Sequence, residues 1–157
     1  MIPWQVLIAR APDFAAAGSR LFVPGADGIS IGFLATVTAA GKPRLAPVCP
    51  IFFDQGIYLS VGAPTPKRAD LSERGDYVLH TFLAANDEEF QIAGRGRIVD
   101  DQAEHKGVVD AIPFGASDAS DPIFELLIER VLWVFWENVG QPGSRPIKRR
   151  WSVKDSG

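Results

Sequence analysis

The amino-acid sequence predicts a mainly β protein, an antiparallel barrel of six or seven strands with about four peripheral helices. Between Gly32 and Gly75, three apolar runs of strand length follow one another with only short turns between them. The helical segments do not alternate regularly with the strands, so parallel βαβ repeats are not predicted. The 157 residues contain no internal repeat and no linker, and we therefore expect a single domain over residues 1–157.

The first predicted elements are a helix and two consecutive hairpins. The alanine-rich segment Pro12–Phe22 predicts a helix, which ends at a loop over 23–28. Turn sequences at 40–43 and 54–56 then separate three strands, the last of which ends at Gly62. Strands joined by such tight turns pair antiparallel, as the barrel requires.

A second helix is predicted after the third strand, with Thr65 as its N-cap and Pro66 at its first position. Lys67 and Arg68 occupy its first turn, and Gly75 ends it. The N-terminus of a helix already carries partial positive charge, so it prefers acidic side chains to these two cations. A bound anion removes the conflict, and we predict a phosphate site here, the alternative being two solvated surface cations.

The second half of the chain is predicted to complete the sheet. Asp101 and Glu104 form a capping-box-like start for a helix. Gly94 and Gly96 lie inside a predicted strand, where glycine marks a sharp bend or the close approach of another backbone. The predicted elements are strands over 77–83 and 89–99, a helix over 102–112, a helix that opens at Asp121-Pro122, and strands over 131–139 and 147–153.

Composition and charge exclude several classes of partner. The formal net charge of −3 and the pI near 5.3 give no reason to expect nucleic acid. Spanning a bilayer takes about 20 consecutive apolar residues, and the chain has no such run. The N-terminus has neither a basic opening nor a small-residue cleavage site, so we expect a soluble, cytoplasmic protein.

The cysteine and histidine content predicts neither a disulfide nor a metal site. Cys49 is the single cysteine, and it lies between Val48 and Pro50 in an apolar run. We therefore expect a buried, inert thiol there. His80 and His105 together with one cysteine fall short of a structural zinc set.

The predicted order of elements resembles the pyridoxamine 5′-phosphate oxidase-like family of FMN-binding split barrels. The matching segments are GFLATVTAAGKPRLAPV, IYLSV, the KRADL helix start and FQIAGRGRIV, and the likeness extends from Phe14 to Trp151. It implies a split β-barrel and a homodimer, with FMN in a cleft between the two barrels and a small-molecule substrate. The chain departs from the true oxidases at Pro47 and Pro50, which lack N–H groups, and in its short C-terminal segment.

The resemblance also implies which positions contact the cofactor. Of these, Lys67 is the position on which the phosphate assignment depends. The positions are Arg44, Leu45, Ala46, Pro47 and Val48 beside the flavin ring, Ser60 and Val61 near the ribityl chain and phosphate, Thr65, Lys67 and Arg68 at the phosphate, Gln91 near the cofactor, and Trp136 or Trp133 from the partner subunit. For both tryptophans, ordinary packing is the alternative interpretation.

The leading functional hypothesis is an FMN-dependent oxidoreductase, in which the flavin performs hydride or electron transfer and no protein nucleophile is required. A deazaflavin cofactor, whose acidic tail also suits Lys67, is a second hypothesis. A third is a haem-binding protein with His80 or His105 as axial ligand, and a fourth is a binding dimer without turnover. The cations 148–150 are candidates for a further anion contact or for a strand edge protected by charge.

Overall fold

Eight antiparallel strands and four helices make up the fold in the computed structural model, which describes residues 1–23, 29–113, 118 and 120–156. The mainly β architecture predicted from the sequence is confirmed. The helices are α1 (Trp4–Arg10), α2 (Pro12–Phe22), α3 (Pro66–Glu73) and α4 (Gln102–Asp110). The strands are β1 (Gly32–Val37), β2 (Pro43–Val48), β3 (Ile51–Phe53), β4 (Gly56–Ser60), β5 (Asp76–His80), β6 (Glu89–Ile98), β7 (Ile123–Glu137) and β8 (Arg145–Ser152).

The order of the strands shows how the sheet closes. The order is β2-β1-β5-β6-β7-β4-β3. β4 pairs with the first residues of β7, and β8 pairs with its second half, over residues 130–137. β2 and β3 lie at opposite ends of this order, yet only Cys49 and Pro50 separate them in the chain. Such a short connection spans at most about 10 Å, so the two ends of the sheet must meet. The sheet is therefore curled into a barrel.

The same connection explains why the structure has eight strands where six or seven were predicted. The apolar run between the turns at 40–43 and 54–56 was predicted as one strand. Pro50 has no N–H to donate to a ladder, and the run divides at this point into β2 and β3. β2 pairs with β1, whereas β3 pairs with β4.

The helix predicted to open at Asp121-Pro122 is wrong, because this segment forms the start of the 15-residue strand β7. Its apolar residues recur at i, i+3 and i+4, which favoured a helix. In the structure both faces of this part of β7 are covered, so buried residues stand at consecutive positions from Ile123 to Leu126. A strand buried on both faces shows no alternation of apolar and polar residues, so its sequence pattern does not distinguish it from a helix.

The N-terminal helix α1 was not predicted. Its N-cap residue is Pro3, its first turn contains no acidic residue, and no side chain caps it. Burial of Trp4 and Leu7 against the rest of the core stabilises it instead. The predicted helix Pro12–Phe22 is confirmed with those bounds, while residues 24–28 of the loop predicted over 23–28 lie outside the described residues.

The core lies on the inner face of the curled sheet, where α1 and α2 cover it. Phe22 and Phe90 are fully buried there and contact each other edge to face, with ring centroids 5.9 Å apart. A smaller apolar cluster lies between α4 and the strands β3, β4 and β7. Glu104 of α4 also accepts hydrogen bonds from Tyr58 and Arg97, which ties this helix to the sheet. No helix of the described chain is long and apolar enough to cross a membrane.

The bend predicted at the two glycines of β6 is a β-bulge. The register between β6 and β7 shifts between Ala93 and Gly94. A Cβ at Gly94 would lie 2.0 Å from the carbonyl oxygen of Leu127, a distance that no side chain tolerates. Glycine at this position lets the two backbones approach where the sheet turns the barrel corner.

We therefore expect Gly94→Ala to be strongly destabilising. The substitution forces the two strands apart, and overpacking of this kind costs about 3 kcal/mol of unfolding free energy. Gly96→Ala is the matched control, because its Cβ would come no nearer than 3.3 Å to any neighbouring atom, and that nearest atom belongs to the Leu71 side chain. Urea unfolding at neutral pH measures both variants, and equal losses would contradict this account of the bulge.

Candidate functional site

A cavity of about 230 Å³ lies where the end of β2 approaches the end of β4 and the start of α3. We call it the Lys67 cavity. Five of the positions predicted to contact a cofactor meet in it, although they come from three separate elements. The described lining consists of Pro47, Val48, Cys49, Leu59, Ser60, Val61 and Lys67. Closure of the sheet between β2 and β3 brings these residues together.

The start of α3 borders this cavity and has no side-chain cap. Thr65 is the N-cap residue, as predicted, but its hydroxyl donates to the carbonyl oxygen of Gly62 at 2.7 Å. No acidic residue lies in the first turn of α3, whereas half-buried Lys67 does. The partial positive charge at the start of the helix and the ammonium group of Lys67 thus lie at the same cavity. This arrangement suits an anion such as a phosphate.

A buried carboxylate fixes α3 against the sheet. The Asp70 side chain is 5% exposed, and one of its oxygens accepts hydrogen bonds from Thr36 Oγ1 and Arg44 Nε, both at 2.7 Å. Burial opposes ionisation of this carboxyl, but the two hydrogen bonds outweigh it, so the pKa of Asp70 is lowered. Because Asp70 follows Lys67 by three residues, this contact also fixes the turn of α3 that carries Lys67. Arg44, predicted beside the flavin ring, therefore pairs with α3 in this protomer.

The other predicted positions of β2 and α3 border the Lys67 cavity without lining it. Leu45 is 67% exposed on the outer face of the sheet, the face directed away from the core. Ala46 is half-buried on the inner face, opposite Leu34. Arg68 is half-buried beside Lys67 and is outside the described lining.

Gln91 and Trp136 are placed away from the Lys67 cavity of the same protomer. Gln91 lines a second cleft, between β6, β7 and β8. Trp136 is 38% exposed near the end of β7, whereas Ser60 pairs with Ile123 at the start of that strand. Neither residue lines the Lys67 cavity of its own protomer.

Trp133 packs within its own protomer. Its indole N–H donates to Glu88 Oε1 at 2.9 Å, and the Arg149 guanidinium lies 5.3 Å from its ring centroid. The ring of Phe14 contacts it at a centroid distance of 6.1 Å. These contacts match the packing interpretation of this tryptophan.

The structure places Cys49 differently from the sequence-based expectation. The thiol was expected to be buried and inert, but Cys49 is half-buried and lines the Lys67 cavity. Its position immediately before Pro50, at the point where the chain passes from one end of the sheet to the other, was the available signal.

Both histidines have hydrogen-bond partners within the fold. His80 Nε2 lies 3.1 Å from Glu89 Oε2, and its Nδ1 lies 2.5 Å from the carbonyl oxygen of Thr81. His105 Nε2 lies 3.0 Å from the carbonyl oxygen of Asp121. Among the described residues, no group of three histidine, cysteine or acidic side chains is placed to hold a metal ion.

Solved structures with a similar fold include both haem proteins and members of the oxidase family. No family model and no curated sequence matches the chain. A Clostridium acetobutylicum protein of the pyridoxinephosphate oxidase family, related to general stress protein 26, superposes with a TM-score of 0.57 at 12% identity, over 98% of this chain and 99% of that one. The chain has the split-barrel fold.

Two haem proteins share this split barrel. A heme binding protein from Mycobacterium smegmatis superposes with a TM-score of 0.60 at 20% identity, over 85% of this chain, which spans 57% of that protein's length. HutZ, a heme storage protein from Vibrio cholerae, superposes with a TM-score of 0.57 at 13% identity, over 76% of this chain and 90% of that one. The resemblance predicted from the sequence is thus confirmed at the level of the fold.

Proposed function

We propose that this split barrel binds FMN in the Lys67 cavity and acts as a flavin-dependent oxidoreductase. The observation that carries the proposal is the convergence of Lys67 and the uncapped start of α3 on one cavity. Pro47, Val48, Ser60 and Val61 line the same space, and the resemblance implies that these positions contact the flavin. A phosphate bound there would act as the missing cap of the helix.

The residues present fit a flavin nucleotide. The ammonium group and the backbone N–H of Lys67 would hold the phosphate, with Ser60 beside it. Val48 and Leu59 offer apolar surface to the ring system. When bound, FMN supplies the hydride or electron transfer. The chain's own residues anchor the phosphate, orient the ring and exclude water from one side of it.

One protomer provides only part of such a site, so we propose that the chain acts as a homodimer. The Lys67 cavity holds about 230 Å³, whereas ligand pockets typically enclose about 300 to 1,000 Å³. Leu45, two residues before Pro47 on β2, leaves a large apolar side chain exposed next to the cavity. A second copy that covers this edge would enlarge the site and bring in Gln91 or Trp136.

Haem is the second candidate ligand. Both the mycobacterial protein and HutZ bind or store haem according to their descriptions. In this chain the Nε2 atoms of His80 and His105 already have partners, so an axial role would cost them those contacts. Cys49 is the side chain lining the Lys67 cavity whose chemistry suits an axial ligand.

Absorption spectra of the purified protein, recorded before and after addition of FMN, a deazaflavin or haem, test the proposal. We expect FMN to bind and to perturb its own absorption bands. A Soret band that forms with haem, combined with no response to FMN, would select the haem alternative and reject the flavin proposal.

Alkylation of Cys49 provides an independent measure of occupancy, because the chain contains no other cysteine. Cys49 lines the cavity, so bound FMN should shield its thiol. At a free FMN concentration ten times Kd, alkylation should slow about tenfold. Riboflavin at the same concentration is the control, since it lacks the phosphate that Lys67 is proposed to bind. An alkylation rate that FMN leaves unchanged would place the cofactor elsewhere.

A further inference from the structure

Arg130 and Arg150 differ from the other arginines on the strands, because neither is within ion-pair distance of a carboxylate in the described part of the chain. Both are exposed in the protomer. Each of the other strand arginines has a carboxylate partner. These pairs are Arg44 with Asp70, Arg95 with Asp76, Arg97 with Glu125 and Glu104, Arg145 with Glu137, and Arg149 with Asp13.

Strand register places these two arginines together on the outer face of the sheet. Arg130 lies opposite Ser152, and Arg150 lies opposite Leu132, so the two arginines are diagonal neighbours on adjacent strands. The Cα atoms of diagonal neighbours on one face of a sheet are about 7 to 8 Å apart. Long side chains reach across this distance, so both guanidinium groups can contact one ligand on this face of the sheet.

The two arginines border a cleft, which we call the arginine cleft, of about 340 Å³ between β6, β7 and β8. Gln91 contributes an amide to its wall, and Leu132 lies between Gln91 and Arg150 in the cross-strand register. The cleft therefore combines an apolar surface, an amide donor and two guanidinium forks. Such forks match the planar oxygens of carboxylates and phosphates.

We propose that the arginine cleft binds a small molecule carrying a doubly charged oxyanion, either a phosphate monoester or a dicarboxylate. One anion accepts hydrogen bonds from both Arg130 and Arg150. The Gln91 amide donates a further hydrogen bond, and the apolar part of the ligand packs on Leu132. Neither arginine requires FMN or the Lys67 cavity for this role.

The arginine cleft is distinct from the Lys67 cavity within one protomer. Pro47, which lines the Lys67 cavity, is followed across the sheet by Phe33, His80 and Gln91 in one cross-strand row. Three strand spacings separate the ends of this row, or about 14 Å. The two sites share no lining residue within one protomer, and a Lys67→Gln background separates phosphate binding in the cleft from phosphate binding in the Lys67 cavity.

The test is an NMR titration of the ¹⁵N-labelled full-length protein that follows the arginine side chains and the Gln91 amide. Inorganic phosphate and succinate are the two probes, with sodium chloride matching the ionic strength. The titrations are repeated in a Lys67→Gln background, so that any phosphate in the Lys67 cavity is accounted for. The test variants are Arg130→Gln and Arg150→Gln, and Lys148→Gln is the matched control, because Lys148 shares the outer face of β8 but not the cleft.

We expect at least one probe to shift the Arg130, Arg150 and Gln91 signals, and each arginine variant to weaken its binding about tenfold. Lys148→Gln should change the affinity less than twofold, and the Lys67→Gln background should leave it unchanged. Stronger binding of phosphate or of succinate identifies the ligand class. The proposal is overturned if neither probe shifts these signals, if Lys148→Gln weakens binding as much as the arginine variants, or if a second copy closes the cleft and its carboxylates pair with both arginines.

Discussion

Replacing Lys67 by glutamine is expected to weaken FMN binding by 10- to 100-fold while leaving the fold intact. Hydrogen bonds to charged groups contribute about 1.5 to 3 kcal/mol each, and each 1.4 kcal/mol corresponds to a factor of about ten in Kd. Lys67 is half-buried at the cavity, so a phosphate there would be partly shielded from water and ions. Fluorescence titration of FMN with wild type and variant measures the ratio.

Lys42→Gln is the matched control for this experiment. Lys42 is exposed in the turn between β1 and β2, outside the described lining of the Lys67 cavity, and its replacement removes the same charge. We expect its Kd for FMN to match that of wild type. If both lysine variants bind FMN equally well, Lys67 does not hold the phosphate.

Replacing Asp70 by asparagine is expected to lower both the stability and the FMN affinity. The variant leaves Arg44 without its partner and weakens the hydrogen bond from Thr36. Removing one partner of a fully buried ion pair costs about 3 to 5 kcal/mol. The Arg44 side chain is 36% exposed, so water compensates part of this loss, and we expect about 2 kcal/mol. FMN affinity falls because α3 loses the contact that fixes Lys67.

The stability difference should depend on pH in a defined direction. The pKa of Asp70 is lower in the folded protein than its ordinary value, which is about 3.9 in an unfolded chain. Its contribution is therefore fully present above that ordinary value and is lost as pH falls through the folded-state pKa. Urea unfolding across pH 2 to 7 should show the Asp70→Asn and wild-type curves converging in acid.

Asp76→Asn tests whether this effect is specific to the buried pair. Asp76 pairs with Arg95 on the surface, where both side chains are about half exposed. Exposed pairs contribute about 0 to 1 kcal/mol, and FMN binding should not change in this variant. A loss of stability equal to that of Asp70→Asn would show that the Asp70 contact is no more than a surface ion pair.

Elements with strong local signals were predictable from the sequence. Thr65 and Pro66 marked the start of α3, and the Asp101 side chain accepts a hydrogen bond from the Glu104 N–H, as the capping-box pattern predicted. Gly94 marked the bulge. Each of these signals depends on a few neighbouring residues, so no knowledge of the tertiary structure was needed.

Errors arose where the tertiary environment decides the local structure. The segment at Ile123 is buried on both faces, which removed the alternation that identifies a strand. Helix α1 lacks a side-chain cap and depends on the burial of Trp4 and Leu7. Neither cause is readable within a window of about ten residues.

The candidate site was partly predictable for the same reason. Lys67 stood out through a local electrostatic conflict, and the structure places it in a cavity. Arg44 had no local signal for its pairing with Asp70, which lies 26 residues away in the chain. The position of Cys49 in the cavity depends on how the ends of the sheet meet, and Gln91 lines a different cleft of the same protomer.

The central claim is that Lys67 and the start of α3 hold the phosphate of a flavin nucleotide. Comparison of FMN with riboflavin by equilibrium dialysis tests it most directly, because the two molecules differ only in that phosphate. Two charge-assisted hydrogen bonds correspond to a preference for FMN of about 100-fold or more. Equal affinity for the two flavins, or no binding of either, would contradict the claim.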